Sequence, residues 1–419
     1  MTRFVSFAAA AAFALAAGRP PAAGGDWSRF RGPNGSGVAD GPAPVKWAKG
    51  QNVLWTAPLP GRGNSSPVLA GGRLFVQSAE KDGSKRVLVC LDPATGAVKW
   101  TAAAAGHPAK IHQKSSYASS TPACDGERVF ACFWDGEAVT LAAYTLDGKE
   151  LWTAPLGSFA SQHGAGMSPV VHGGKVFVNF DQDGAAEVVA FDAATGAKAW
   201  SASRKAYRAC YSTPVVRPRK DGKPELVVYS TAGAAGYDPD TGAVNWKWVT
   251  PWREGEMALR SVASPVLAGN LLVCVNGDGS GSRYSAVLDP DAPGGPAPLW
   301  EKRSNALTPY VPCPVVKGDF IYWVTDQGVA ECVAVRTGKV AWSERAFNKA
   351  VSASPVLIGD VLLGIDEAGK AVAWKADPEG FERVAASDAG EPVFATPAVA
   401  DGKLYIRAAT SVLCVGAAK

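Results

Sequence analysis

The chain has 419 residues, more than the roughly 250–300 residues that one hydrophobic core usually organises, so it contains several domains or a repeat architecture. Its 42 Lys and Arg residues and 38 Asp and Glu residues give a net charge of +4 without a basic run, which argues against a nucleic-acid partner. Hydrophobic residues make up 47% and charged residues 19%, a balance typical of an ordered protein.

The first residues have the pattern of a secretory signal peptide. Arg3 precedes an uncharged, Ala-rich run from Phe4 to Ala17, and Ala14-Leu15-Ala16 offers the small residues that a signal peptidase reads. The run is shorter than the roughly 20 residues of a spanning helix; a short membrane anchor is the alternative. We predict a signal peptide at residues 1–16, cleaved between residues 16 and 23, and export to the periplasm, the cell envelope or the medium.

A lead-in segment and one isolated strand precede the rest of the chain. The lead-in is predicted at residues 17–52 and includes the sequence DWSRFRGPNGSG from Asp26. The strand is VLWTAPL, from Val53 to Leu59, and opens the domain predicted at residues 53–419. No further span long enough to cross a membrane is expected.

A repeat unit then recurs to the end of the chain. Each unit begins with a dipeptide ending in Pro, and successive prolines are separated by 41 to 55 residues, the range of four-stranded propeller blades. Gly-Gly or Asp-Gly turns follow between β-branched runs and predict hairpins. The dipeptides are Ser66-Pro67, Thr121-Pro122, Ser168-Pro169, Thr213-Pro214, Ser264-Pro265, Cys313-Pro314, Ser354-Pro355 and Thr396-Pro397.

A Trp in the last strand of most units is predicted to pack between blades. It follows a turn glycine by four residues in five units, which fixes turn register and side-chain direction together. After a Pro/Gly-rich insertion, from Asp291 to Pro298, Trp300 takes the same place. In the seventh unit Phe381 is predicted to replace it on the outer strand, with Trp374 one strand earlier. The predicted structural tryptophans are Trp55, Trp100, Trp152, Trp200, Trp246, Trp300 and Trp342.

The last unit lacks its Trp strand. Three strands are predicted after Pro397, ending near Val415, and the missing strand is supplied by Val53–Leu59. This closure removes the open sheet edges. The sequence therefore predicts an all-β, eight-bladed β-propeller of four-stranded antiparallel blades closed by an N-terminal strand, with seven or nine blades as the alternatives.

These units resemble the PQQ-like (quinoprotein-type) β-propeller repeat over Val53 to Val415. Its consensus has Ser-Pro-Val, Gly-Gly-Lys, and Asp-x-x-Thr-Gly followed by Trp four residues later, which Asp92 to Trp100 and Asp192 to Trp200 match in full. The resemblance implies that each Trp docks on the Thr-Gly turn of an adjacent blade. The family includes two kinds of protein. One is the dehydrogenases that depend on pyrroloquinoline quinone (PQQ) and Ca²⁺; the other is the non-catalytic, BamB-like members, which take part in outer-membrane β-barrel assembly.

The sequence departs from the dehydrogenases of this family. It has no adjacent Cys-Cys pair, no haem-binding motif and no long insertions, and no Ca²⁺ ligand can be transferred to a numbered position. We therefore favour a non-catalytic binding or scaffold module of the periplasm or cell envelope, monomeric and without a predicted cofactor. The alternative is a dehydrogenase of alcohols or sugars with PQQ and Ca²⁺; a hydrolase or lyase on the same scaffold is third.

The loops that enter each Pro dipeptide carry the candidate ligand face. If they converge, they form a cationic and aromatic surface suited to a small anionic ligand or an envelope protein, whereas the alternative is a set of ordinary solvated loop residues. No catalytic residue is assigned. The candidate residues are His112, Lys114, His163, Arg208, Tyr211, Trp252, Arg260 and Tyr310.

Metal and cysteine chemistry are not expected to carry the function. The histidines lack metal-ligand spacing, and Asp181–Glu187 and Asn276–Gly279 match Ca²⁺ loops less well than hairpin turns. The cysteines are predicted to be small buried hydrophobes; Cys90, Cys332 and Cys414 occupy equivalent positions of separate blades, too far apart to bridge, and one or two disulfides are left open among the others. The cysteines are Cys90, Cys124, Cys132, Cys210, Cys274, Cys313, Cys332 and Cys414.

Overall fold

The computed structural model describes residues 26–42, 44–48, 50–305 and 307–417. These residues form eight antiparallel sheets of four strands each, as predicted, and the seventh sheet gains a fifth, parallel strand. The first strands of neighbouring blades contact one another, so they surround a common axis. The predicted signal peptide lies outside the described residues. Two strands and one 3₁₀ turn precede the first blade: Pro33–Gly35, β1 (Val38–Ala39) and β2 (Val53–Pro58).

The first four blades follow in chain order, each running from the inner strand to the outer one. Glycine turns separate their strands, as the hairpin signals predict. The strands are β3 (Val68–Ala70), β4 (Arg73–Ala79), β5 (Lys85–Leu91), β6 (Val98–Ala105); β7 (Ala123–Cys124), β8 (Arg128–Trp134), β9 (Ala138–Thr145), β10 (Glu150–Ser158); β11 (Val170–His172), β12 (Lys175–Asp181), β13 (Ala186–Asp192), β14 (Lys198–Ser203); β15 (Val215–Pro218), β16 (Pro224–Ser230), β17 (Gly233–Tyr237) and β18 (Val244–Val249).

The last four blades repeat this order, and the eighth is completed by β2. The middle strands are buried on both faces, because each blade is covered by its two neighbours. The strands are β19 (Val266–Ala268), β20 (Leu271–Gly277), β21 (Ser282–Asp289), β22 (Ala297–Asn305); β23 (Val315–Lys317), β24 (Phe320–Val324), β25 (Val329–Ala334), β26 (Val340–Arg345); β27 (Val356–Ile358), β28 (Val361–Ile365), β29 (Lys370–Lys375), β30 (Arg383–Asp388); β31 (Ala398–Ala400), β32 (Lys403–Arg407) and β33 (Ser411–Val415).

The ring is closed by pairing between the two ends of the chain. Strand β2 runs antiparallel to β33, with Val53 opposite Val415 and Pro58 opposite Ser411. The N-terminal strand thus becomes the outer strand of the eighth blade, which confirms the closure that the incomplete last unit predicts. It covers an edge of β33 that would otherwise be open to pairing with another chain.

The outer-strand tryptophans dock on the next blade, as the family resemblance implies. The indole N–H of Trp100 donates to the carbonyl of Leu146 at 2.8 Å, and that of Trp200 donates to Pro239 at 3.1 Å. Trp55, Trp152, Trp300 and Trp342 make the corresponding bond. Each Trp therefore joins hydrophobic packing to a directed hydrogen bond between neighbouring blades.

Trp246 differs from these because its indole bonds within its own blade, so the expectation that it docks on a Thr-Gly turn of the next blade is wrong. The insertion from Asp291 to Pro298 occupies the place of that turn in the next blade. The Trp246 indole instead donates to Glu225 in its own blade at 2.8 Å. Arg217 bridges the junction, since it pairs with Glu225 at 2.7 Å and with Asp291 of the next blade at 2.7 Å. An ion-pair network thus replaces the turn.

The seventh blade also departs from the repeat. Trp374 lies on the third strand, β29, as expected. Phe381, however, lies in the turn before β30 rather than on this outer strand, so that prediction is wrong. From the turn Phe381 contacts both Trp342 and Trp374, with ring centroids 5.6 and 5.7 Å apart. It fills the space that a Thr-Gly turn would occupy against Trp342.

The lead-in segment lies inside the ring. Trp27 exchanges two backbone hydrogen bonds with Leu69 of the first blade, and β1 pairs in parallel with β27 of the seventh. Between these points Asn34 hydrogen-bonds the backbone of Val216 in the fourth blade. The segment therefore crosses the axis and contacts blades on opposite sides of the ring.

Two buried arginines fix this crossing. The guanidinium of Arg29 donates to the carbonyl of Pro214 at 2.5 Å, and that of Arg31 donates to Pro314 and Pro355 at 2.5 and 3.2 Å. These acceptors are prolines of the repeated dipeptides. Burial lowers the pKa of Arg29 to about 10, so its guanidinium stays charged at neutral pH, and burial also lowers the pKa of Arg31.

All eight cysteines are buried, as predicted, and none forms a disulfide bond. Burial raises the pKa of the Cys132 thiol to about 12, which keeps it protonated and unreactive. They therefore contribute to the core as small apolar residues.

In the part of the chain that the structure describes, no helix is long and apolar enough to cross a membrane.

Candidate functional site

A cavity of about 730 Å³ lies on the axis of the propeller. Its wall comes from the loops that precede each Pro dipeptide and from turns between second and third strands, which include Asp278 and Asp326. Phe30 of the lead-in segment also lines it, so the segment that crosses the axis forms its floor. The cavity opens on the loop face, which we define as the face formed by those loops and turns.

The residues that begin the Pro dipeptides form a ring around this cavity. The backbone N–H of every one except Ser168 donates to the side chain of its counterpart in the next blade, as from Ser66 to Thr121 at 2.9 Å and from Thr396 back to Ser66 at 3.1 Å. Seven such bonds are present among the described residues. We call this ring the hydroxyl belt: Ser66, Thr121, Ser168, Thr213, Ser264, Cys313, Ser354 and Thr396.

The belt explains why these dipeptides recur. Proline supplies no N–H, so the preceding residue makes the bond to the neighbouring blade, and its side chain must accept one in return. Cys313 fits the same place because its sulfur accepts from the N–H of Ser264 at 3.2 Å. The sequence reveals the repeat of Ser or Thr, but the contacts between blades appear only in the folded ring.

Five of the eight residues of the predicted ligand face line the cavity, and two lie close behind its wall. Arg208 and Arg260 are the two, and both are near enough to His163 to lower its pKa. The eighth, Trp252, lies between the fourth and fifth blades, where it donates to the carbonyl of Thr231 at 2.7 Å. The five cavity residues are His112, Lys114, His163, Tyr211 and Tyr310.

The two histidines meet at the cavity wall. The rings of His112 and His163 are perpendicular, with centroids 4.9 Å apart. Burial, and next the charge of Arg260, lower the pKa of His163 to about 4, so its imidazole is neutral at neutral pH. Its Nδ1 is buried and has no hydrogen-bond partner among the described residues.

The two tyrosines keep their protons. Burial raises the pKa of Tyr211 and of Tyr310 to about 12. The Tyr211 hydroxyl forms a hydrogen bond with the hydroxyl of Ser161, and the Tyr310 ring lies 5.3 Å from the guanidinium carbon of Arg283. Both phenols are neutral at physiological pH and can act as hydrogen-bond donors.

Ion pairs occupy the other side of the cavity. Lys114 reaches Glu367 of the seventh blade at 2.6 Å, which ties the loop between the first two blades across the cavity mouth. Arg283 pairs with Asp326 at 2.8 Å. Carboxylates thus neutralise the cations near the fifth to seventh blades. Arg208 and Arg260 form no ion pair among the described residues, so the positive charge of the wall is concentrated on their side.

Sequence reasoning missed several residues of the cavity. Phe30 lies within the DWSRFRGPNGSG segment, which has no counterpart in the repeats to indicate its position. Asp278 belongs to a fragment interpreted as a hairpin turn; the structure places it in the turn between β20 and β21 and also on the cavity wall. Others with no signal in the sequence are Asn64, Arg283, Asp326 and Phe394.

Metal ligands do not cluster in the described part of the chain, where no group of three or more His, Cys, Asp or Glu side chains is placed to hold an ion. The turn after Asp181 is the hairpin between β12 and β13, and Asp181 itself lies 3.5 Å from Arg204. The side chains of the cavity wall can hydrogen-bond a ligand and attract it electrostatically.

Comparisons with known proteins place the chain among propellers of one repeat type. The family model described as outer membrane protein assembly factor BamB matches residues 37–145 and 117–344. No curated protein matches the chain in sequence. BamB from Moraxella catarrhalis superposes with a TM-score of 0.63 at 15% identity, over 88% of this chain and 97% of that chain.

Two dehydrogenases show a similar degree of likeness. A europium-containing methanol dehydrogenase superposes with a TM-score of 0.66 at 14% identity, over 93% of this chain and 90% of the other. The quinohemoprotein alcohol dehydrogenase of Comamonas testosteroni has a TM-score of 0.63 at 15% identity, over 94% and 81% of the two chains. At these identities the superpositions show the fold alone.

Proposed function

This chain belongs to the PQQ-like repeat family whose model is described as outer membrane protein assembly factor BamB, and from that premise we propose that it is a binding or scaffold module of the periplasm or cell envelope. It acts as an exported monomer and presents its loop face to an envelope protein. No cofactor or catalytic residue is part of this proposal.

The observation that carries the proposal is the asymmetry of the ring. The lead-in segment crosses the axis below Phe30, so the central cavity is floored, and it is entered from the loop face. Buried guanidiniums join neighbouring blades beside it: Arg86 of β5 donates to the carbonyl of Trp134 in β8 and to that of Gly83, and Arg407 of β32 donates to that of Gln77 in β4. A firmly held concave face is suited to recognition.

Exposed apolar side chains on three successive loops of this face support a protein partner. Tyr207, Met257 and Leu307 are 44%, 65% and 53% exposed and lie on the connections between the third and sixth blades. Contiguous exposed apolar patches mark protein interaction sites, and these three loops are where we propose that one forms. Arg303 and Trp252, with a guanidinium carbon to ring distance of 5.7 Å, brace the same region.

Site-specific photo-crosslinking in the intact envelope tests the proposal. A crosslinking amino acid at Met257 or Leu307 is expected to capture the same envelope protein. The matched control is Val98, which is 49% exposed at the start of outer strand β6, away from the loop face. Absence of a specific product from both loop positions, or an equal product from Val98, contradicts the proposal.

The dehydrogenase alternative has a separate readout. Purified protein is titrated with PQQ and Ca²⁺ while the melting temperature and dye-linked oxidation of alcohols and sugars are followed. A rise in melting temperature together with dye reduction would replace the scaffold proposal by a quinoprotein dehydrogenase. We expect neither change.

A further inference from the structure

We propose that the cavity holds a carboxylate against one part of its wall, which we call the cationic quadrant: His163, Ser168 and Tyr211, with Arg208 and Arg260 behind them. The carboxylate comes from a small organic acid or from an acidic side chain of a bound partner. This inference rests on the proposed function as a binding module and specifies the chemistry that its cavity recognises.

The first argument is the supply of hydrogen-bond donors. In the bonds of the hydroxyl belt the side-chain oxygen accepts, as Ser168 does from Thr121 at 3.0 Å, so its own proton is available to a ligand. Six belt hydroxyls line the cavity. Tyr211 adds a phenol whose pKa is raised to about 12 and which stays protonated. Oxygen acceptors, and a carboxylate above all, complement such a surface.

The second argument is uncompensated positive charge. Arg260 is 1% exposed, and among the described residues its guanidinium donates only to neutral groups, the side-chain oxygen of Gln162 at 3.0 Å and the carbonyl of Ala209 at 3.4 Å. Arg29 and Arg31 lie buried on either side of Phe30, with carbonyls as their acceptors. Charges screened little by water act strongly across a cavity of this size.

The two carboxylates nearest the quadrant accept backbone N–H groups and act on Arg208 only from beyond ion-pair distance. Asp183 accepts the backbone N–H of Ala209 at 2.8 Å, and Asp278 accepts that of Ser280 at 2.9 Å. Across the cavity, Glu367 and Asp326 neutralise the cations beside them. Neither Arg208 nor Arg260 has a carboxylate within ion-pair distance among the described residues, so a bound carboxylate would be their first close anionic partner.

Close packing around the quadrant indicates a preformed site. A Cβ at Gly166 would lie 3.3 Å from the Tyr211 ring, so the glycine lets this ring pack against the segment that carries His163 and Ser168. The bond between Tyr211 and Ser161 fixes the same contact. A preformed donor set loses little conformational entropy when a ligand binds.

Isothermal titration of the full-length protein provides the test. The probes are succinate and benzoate, their neutral counterparts succinamide and benzamide, and a Glu-rich peptide with its Gln counterpart. We expect saturable binding of at least one carboxylate probe and none of the neutral ones. Arg208→Gln is expected to weaken that binding by about tenfold, because a partly buried cation is lost.

Arg219→Gln is the matched control, since Arg219 follows β15 at the turn on the opposite face of the propeller. It should leave the affinity unchanged. If only the Glu-rich peptide binds, the carboxylate comes from a partner; if succinate or benzoate binds, it comes from a small acid.

Binding of no carboxylate probe, equal binding of acids and amides, or equal affinity in Arg208→Gln and the native protein overturns this inference. These measurements need no envelope protein. A failure of the crosslinking experiment would therefore leave the carboxylate site standing, and the reverse also holds.

Discussion

At the scale of single residues, the junction between blades depends on one glycine and one tryptophan. The turn glycines have positive φ, 74° at Gly196, and a Cβ there would lie 2.5 Å from the Trp152 ring. The turn carbonyl of Ala193 accepts the indole N–H at 3.2 Å. Glycine is therefore required twice, for the backbone conformation and for the approach of the ring.

We predict that Gly196→Ala destabilises the protein by about 3 kcal/mol, because strain at positive φ adds to a clash with Trp152. Denaturant unfolding measures the loss. Gly222→Ala is the control: its φ is 79°, but no atom lies within 4 Å of the added Cβ, so only about 1 kcal/mol is expected. Equal losses in the two variants would show that the ring contact contributes nothing.

The candidate cavity could be predicted only in part from the sequence. The loops before each Pro dipeptide point to His163, Tyr211 and their neighbours, because a propeller brings those loops to one face. Trp252 lies on such a loop but turns outward between two blades, where Tyr284 packs against it. The sequence does not predict that Phe30 lines the cavity, because this residue belongs to a segment without a counterpart in the repeats.

At the scale of elements, the lead-in segment acts as a brace across the ring. Blades contact mainly their neighbours, so a closed ring resists opening only through each successive junction. Arg31 links the sixth and seventh blades through Pro314 and Pro355, and Arg29 reaches Pro214 of the fourth. The segment thus joins blades that share no direct junction.

We predict that Arg31→Met lowers the free energy of unfolding by about 2 kcal/mol, because buried carbonyls lose their donor. The exposed Arg336 provides the control; Arg336→Met should stay within about 0.5 kcal/mol of the native protein. Chemical denaturation measures the free energy of unfolding of both variants and of the native protein. A matching stability in the two would mean that the buried guanidinium does not brace the ring.

The strands of the repeats and the brace differ in how far sequence predicts them. The Gly-Gly and Asp-Gly turns between β-branched runs indicate the hairpins directly, and the strands lie where these signals place them. The parallel pairing of β1 with β27 leaves no such signal, since it depends on contacts between distant parts of the chain. Local sequence patterns therefore predict the blades, whereas the path of the lead-in segment through the axis depends on contacts that exist only in the folded ring.

At the scale of the whole molecule, one strand completes the ring. Strand β2 provides the outer edge of the eighth blade, and its Trp55 donates to Pro93 of the first blade at 3.2 Å. The same short segment therefore finishes one sheet and seals the last junction. Closure and the brace are separate devices, because the lead-in contacts lie before β2 in the chain.

Truncation separates the two devices. A chain beginning at Val53 lacks the brace but keeps β2; we predict a monomer with a lowered melting temperature. A chain beginning at Gly61 also loses β2, which exposes the edge of β33, and it should self-associate. Light scattering with size-exclusion chromatography and thermal unfolding distinguish these outcomes. A monomeric, fully stable chain from Gly61 would contradict the role of β2 in closure.

The pairing of Val53 with Val415 also limits when the ring can close during folding. Strand β2 precedes every blade in the chain, and its partner β33 follows all the others. During folding β2 therefore has no permanent neighbour until the eighth blade forms, and contacts between such distant residues form slowly. Until then the domain is an open arc, the state in which it most needs protection from aggregation.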